Sequence, residues 1–160
     1  MKDKEIILKE LEKNYLEASK KFGIKTSLDD LDSCFFVRDY ILSSGFVSDS
    51  VLRQISTRIV EALHSWNGFF HSLIIPNPND FVNVNESKMF SEEEKKKALK
   101  LMSKIMYFMR RNNHANLIND NNLRAKFIDD SFNFWKKSLL PYLVDISKKL
   151  SDEWEKNHLS

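Results

Sequence analysis

"PNPNDFVNVNESKMF", Pro76 to Phe90, is the stretch whose reading decides the fold. Two prolines and four asparagines stand among its fifteen residues, and no apolar side chain recurs at helical spacing, so it reads as a long connection. What flanks it is unlike it. Before it lies "VLRQISTRIVEALHSWNGFFHSLII", residues 51–75, where Leu52, Ile55, Ile59, Ala62, Leu63, Trp66, Phe69, Phe70, Leu73 and Ile74 fall on one apolar arc at 100° per residue. After it, Ser91 and Glu94 make a capping box for a helix that runs through Leu99, Met102, Ile105, Met106 and Met109. Fifteen extended residues span up to ~50 Å, and a helix of about 25 residues is ~38 Å long. The connection is therefore long enough to run the length of a helical bundle.

Working outward, Ile7, Leu11, Tyr15, Ala18 and Phe22 recur at steps of four and three, and Gly23 stands where a left-handed cap belongs, so a first helix is expected over about Asp3 to Phe22. Ser27 opens a second helix, ended by Gly45, with Leu28, Leu31, Cys34, Phe35, Ile41 and Leu42 on one side. Ser48 or Asp49 is expected to cap the helix over 51–75. A further helix starts near Asp120, and Pro141 lies inside its apolar pattern, where it should kink or split it. The connections either side of the long one, about four and about six residues, imply antiparallel neighbours. Short, long, short is the loop order of ferritin-like four-helix bundles, here with an extra N-terminal helix; a plain up-and-down bundle with a floppy loop is the alternative.

Composition agrees with one globular domain over residues 1–160: 42% of the chain is hydrophobic and 30% charged. No apolar run approaches the ~18 residues of a membrane span, and the first ten residues lack a signal-peptide pattern, so a cytoplasmic location and no membrane partner are expected. Cys34 is the single cysteine, which excludes an internal disulfide and a thiolate-rich metal site and suits a small core position. A formal net charge of +2 is weak for a nucleic-acid binder, and nucleic acid is not an expected partner.

The candidate chemistry is sparse. Glu61 with His64, and Glu155 with His158, have the Glu-x-x-His spacing of di-iron bundles, but Glu61 lies opposite Leu52 and Ile59 on the helical wheel, so no metal is expected. Arg58 and His64 match the Arg-x5-His spacing of helical ribonuclease domains of the toxin (HEPN-like) type, yet six residues leave their side chains ~120° apart. Arg38 falls within the apolar arc of the second helix, where a guanidinium needs an anion or a carboxylate such as Asp130. The lysines Lys95, Lys96, Lys97, Lys100 and Lys104 follow three glutamates in an order that suits the helix dipole. RNA binding there would call for exposed aromatics beside them. "MRRNNHANLINDNNLR", Met109 to Arg124, is densest in polar groups. It reads as a helix closed by Arg110 and Arg111, an asparagine-rich connection, and a cap at Asn119 or Asp120.

Three segments resemble the cobalamin adenosyltransferase-like family of helical bundles. "SLDDLDS", Ser27 to Ser33, is similar to its helix-opening stretch; "RRNN", Arg110 to Asn113, to an Arg-Arg-x-Glu segment; and "LRAKFIDDSFNFW", Leu123 to Trp135, to an Asn-x-Leu-Ser-Asp motif. The resemblance implies a ferritin-like bundle, with Arg110, Arg111 and Asp130 as active-site or ATP-side residues and ATP with Mg, and cobalamin, as ligands. The chain departs from the pattern at Asn113, Lys126 and Asp129, and the family's Gly/Thr-rich phosphate loop is absent. The leading expectation is thus a bundle without cofactor or enzymatic activity, acting through self-association or a protein partner. A nucleotide or corrinoid enzyme using Arg38, Arg110, Arg111 and Asp130 is the alternative, and an RNA-binding or HEPN-like ribonuclease domain a further one.

Overall fold

The computed structural model describes residues 3–159, and all regular structure among them is helical. The helices are α1 (Lys4–Phe22), α2 (Leu28–Phe35), α3 (Val37–Ser44), α4 (Val51–Ile74), α5 (Phe81–Lys88), α6 (Glu92–Leu117), α7 (Asn121–Phe134) and α8 (Leu140–Trp154). Two π-helical segments, Trp135–Leu139 and Glu155–Leu159, follow α7 and α8. No described helix is long and apolar enough to cross a membrane.

The first helix keeps its expected limits. Asp3 caps it by accepting from the Glu5 amide, and Gly23 closes it at φ +70°, a conformation that favours glycine. The expected second helix is instead two, broken at Phe36, whose φ is +54°. One local and one tertiary hydrogen bond explain the break. The Asp32 carboxylate accepts from the Arg38 amide at 2.8 Å, while Arg58 Nε donates to the Phe35 carbonyl at 2.6 Å, so groups released by the broken ladder find partners. A left-handed phenylalanine is unfavourable by about 1 kcal/mol or more, and these bonds offset it.

The expected cap of α4 at Ser48 or Asp49 moves to Ser50, whose carbonyl accepts the Gln54 amide. Gln54 reaches back to accept from the Ser48 amide and donate to the Phe46 carbonyl. The stretch read as a structureless connection contains α5, capped by Asp80, which accepts from the Asn83 amide at 3.0 Å. Its amphipathic signal is weak because Asn83, Asn85 and Glu86 interrupt it. What fixes α5 is tertiary: buried Ser87 donates to the Leu73 carbonyl, and Trp154 Nε1 donates to Glu86 at 2.9 Å.

Ser91 caps α6 as expected, accepting from the Glu94 amide; the Glu94 carboxylate, however, takes Lys149 at 2.7 Å rather than reaching back. The helix does not close at Arg110 and Arg111 but continues to Leu117, leaving only residues 118–120 as the connection. Asn119 turns it at φ +53°, a value asparagine tolerates, and Asp120 caps α7 by accepting from the Leu123 amide. Pro141 splits the next pattern as expected, through a π turn: the Leu140 amide donates to the Trp135 carbonyl, five residues back. That extra residue shifts the register of the ladder just ahead of a proline that has no N–H to give.

The contacts group the chain into two compact units, with boundaries inside α4, α6 and α7. One comprises the residues up to Leu63 and Phe108–Phe132. Its core includes Leu11, Leu31, Phe35, Ile41, Ile55, Ile59 and Phe127, all buried, with Phe108 and Phe127 meeting edge-on at 6.2 Å. The other comprises His64–Tyr107 and the residues from Asn133 on. Phe70, Leu73, Phe90, Ile105, Trp135, Leu139 and Ile146 are buried in it, and the Tyr142 ring lies tilted at 5.7 Å from Phe70 while its hydroxyl donates to the Glu94 carbonyl.

Candidate functional site

A continuous second helix would bury Arg38. The break at Phe36 re-aims it, and its side chain is 24% exposed. It forms ion pairs with Asp29 at 2.6 Å and Asp32 at 3.0 Å, with Glu12 at 3.7 Å. Its carboxylate partners are therefore on the neighbouring helices α1 and α2, and Asp130 is not among them. The expectation that it occupies the apolar arc is corrected for the same reason: Phe36 ends the rotation that carried the arc. Arg38 stands at the edge of a groove of about 530 Å³ that also involves Glu12, Leu16, Lys25 and Asp29. Both signs of charge line it.

The α1–α2 connection forms one wall of this groove, and Asp129 fastens that connection to α7. Its carboxylate accepts from the Lys25 amide at 3.0 Å, the Thr26 amide at 3.0 Å and the Thr26 hydroxyl at 2.7 Å. Tyr15 donates to the Thr26 carbonyl at 2.6 Å, so every polar group of buried Thr26 has a partner. Burial, opposed by the neighbouring Ser19 hydroxyl and aided by the negative charges of Asp129 and Asp30, pushes the Tyr15 hydroxyl up to about 12 from its ordinary 10.0.

A phenol only 4% exposed then links stability to alkaline pH. Its folded pKa exceeds its unfolded one, so the contribution is whole below pH 10 and is lost as pH rises through about 12. A shift of that size corresponds to roughly 2–3 kcal/mol. Urea titrations from pH 9 to 12 are expected to show this loss, and Tyr15→Phe to flatten it; an equal loss in the variant would assign it to other groups.

The most buried cation is Arg124, with no exposed surface. Its Nε donates to Asn116 at 3.0 Å, and its Nη1 donates to Asn119 at 3.0 Å and to Asn121 at 2.9 Å. The asparagine-rich stretch is thus a cage for a guanidinium, built from the last turn of α6, the left-handed turn residue and the first residue of α7. Burial pushes the arginine pKa down, the like charge of Arg53 adds to this, and Asp120 opposes it. Three neutral oxygens replace the usual carboxylate. Sequence signals for Arg124 exist: Phe127, Ile128 and Ser131 lie three, four and seven residues on, placing it on the buried face of α7.

The remaining candidates converge only in part. Arg111 and Asp130 form an ion pair at 2.9 Å, with the Arg111 guanidinium 5.5 Å from the Phe108 ring. Arg110, inside α6 rather than at its end, is exposed, and its Nη1 donates to the Asn113 side-chain oxygen at 3.0 Å. Asp129, which stands where the resembling motif has serine, is fully engaged by Lys25 and Thr26. Arg58 is held by the Phe35 carbonyl and by Glu61 at 3.6 Å, and His64 is exposed. The side chain of His158 lies outside the described residues. Among the described residues no group of three or more His, Cys, Asp or Glu is placed to hold a metal ion. Cys34, expected in the core, is half-buried beside Ser33.

No family model, curated protein or solved structure matches the chain.

Proposed function

We propose that this chain is a single-domain, ferritin-like four-helix bundle with an extra N-terminal helix, cytoplasmic and without enzymatic activity, acting by self-association or by binding a protein partner. The observation that carries the reading is the engagement of its half-buried cations. Arg38 is held by Asp29 and Asp32 and Arg111 by Asp130, so the charge of each is already matched by carboxylates with which a triphosphate would compete. That the chain passes from one compact unit to the other within α4, α6 and α7, and not through a linker, supports one domain.

Large apolar side chains left exposed support the interaction role. Phe36, held at positive φ, is 59% exposed; Phe46, Phe81, Leu140 and Val144 are exposed as well. Exposed apolar side chains that gather into one patch mark interfaces, whereas singly scattered ones do not. Light scattering on the purified protein at micromolar concentration is expected to give a mass above that of one chain, and a monomer would remove self-association from the proposal. Calorimetric titration with Mg-ATP is expected to give no heat up to millimolar nucleotide. Micromolar binding would overturn the non-enzymatic reading and favour the nucleotide or corrinoid enzyme.

A further inference from the structure

From Lys95 to Asn119 the chain contains no acidic residue, and within that run α6 turns a lysine-rich face outward. Lys96, Lys97, Lys100 and Lys104 are all exposed. At 100° per residue, Lys96, Lys100, Lys104 and Tyr107 fall within about 80° of one another, and successive lysines rise by ~6 Å along the axis. Lys96, Lys97 and Lys100 make no ion pair with any described residue, whereas Lys95 pairs with Glu92 and Glu94 is taken by Lys149. The glutamates that precede the lysines in sequence are thus partly drawn elsewhere.

Tyr107 separates this face from an ordinary solvated helix. It is 51% exposed, and the Lys104 ammonium sits 4.8 Å from the centre of its ring. An exposed aromatic held beside a ladder of cations offers a stacking surface next to charges spaced along one line. We propose that this face of α6 binds single-stranded RNA, with Lys96, Lys97, Lys100 and Lys104 contacting successive phosphates and Tyr107 stacking on a base. The overall charge of +2, which argued against a nucleic-acid partner, averages over the whole chain, whereas phosphate contacts respond to the local charge of this face. An anionic lipid surface would use the lysines but has nothing to stack on a half-exposed tyrosine ring.

The test is fluorescence anisotropy of a labelled polyuridylate strand titrated with the whole protein over a range of salt concentrations. Neutralising three to four phosphates on a single strand predicts a log–log salt slope of about −2 to −3. Lys100→Gln should reduce the steepness by about 0.7. Tyr107→Ala should weaken binding roughly 5- to 100-fold at an unchanged slope, and Tyr107→Phe should restore it. Circular dichroism on each variant separates these losses from unfolding. The proposal is overturned by no binding at low salt, by a Tyr107→Ala variant that binds as well as the parent, by duplex binding as tight as single-strand binding, or by binding confined to phosphatidylserine vesicles. None of these outcomes depends on the oligomeric state or the nucleotide titration.

Discussion

Arg124→Ala is expected to destabilise the protein by about 3–4 kcal/mol, and Arg124→Met by only about 1 kcal/mol. The difference follows from what the buried guanidinium does. Alanine leaves a cavity beside Phe127 and Ile128 and deprives Asn116, Asn119 and Asn121 of their donors. Methionine refills most of the volume and removes a desolvated charge that has no carboxylate in contact. The asparagines can then turn to water, since Asn119 is exposed and the other two are half-buried. Arg124→Lys should fall near alanine, because it keeps the buried charge with donors that cannot fork to three oxygens. Urea unfolding followed by tryptophan fluorescence would give the order. If methionine proved as costly as alanine, the turn would depend on the hydrogen bonds themselves, and Asn119→Ala should then lose a similar amount.

The same residue shows how much was legible in the sequence. Helix periodicity placed α1 and α4 because their apolar faces repeat without interruption and carried one pattern from about Asp120 across Pro141, and caps at Gly23, Ser91 and Asp120 are local signals that need no tertiary information. The break at Phe36 was not legible, since Leu31, Phe35 and Leu42 suit a continuous helix and the bonds that stabilise the break come partly from Arg58 on α4. The same holds for α5, which is fixed by Leu73 and Trp154 rather than by its own pattern. Once the second helix was read as continuous, Arg38 fell into the core by arithmetic. The arginine that does lie in the core, Arg124, sits in a stretch whose asparagines read as turn formers. They do form the turn, and their side chains also accept from the buried charge. Exposure of Tyr107, which separates a lysine-rich solvated helix from a stacking surface, is a tertiary property that composition and spacing do not contain.

Asp129→Ala is expected to cost about 2–4 kcal/mol, although Asp129 lies in no cavity and in no hydrophobic core. One carboxylate accepts from two successive amides and a hydroxyl, and it links the α1–α2 connection to a helix more than one hundred residues on. Lys25 is exposed and can bond to water instead; Thr26 is buried and cannot, so its amide and hydroxyl bear most of the loss. Asp129→Asn is nearly isosteric, yet it brings an NH2 group against donors and should recover at most about half of the loss. Tyr15 acts on the same residue from the other side, through the Thr26 carbonyl. Once Asp129→Ala has released Thr26, Tyr15→Phe has less left to remove. The double variant should therefore fall short of the sum of the singles by about 1 kcal/mol. Hydrogen exchange gives an independent reading: protection of the Lys25 and Thr26 amides should drop in Asp129→Ala while that of the α4 core is unchanged. Additive losses, or protection lost evenly along the chain, would show that Asp129 stabilises the whole molecule and not this connection. Because the connection forms one wall of the groove beside Arg38, its release would also open that groove, while the Arg38 ion pairs, made entirely within α1, α2 and α3, should persist.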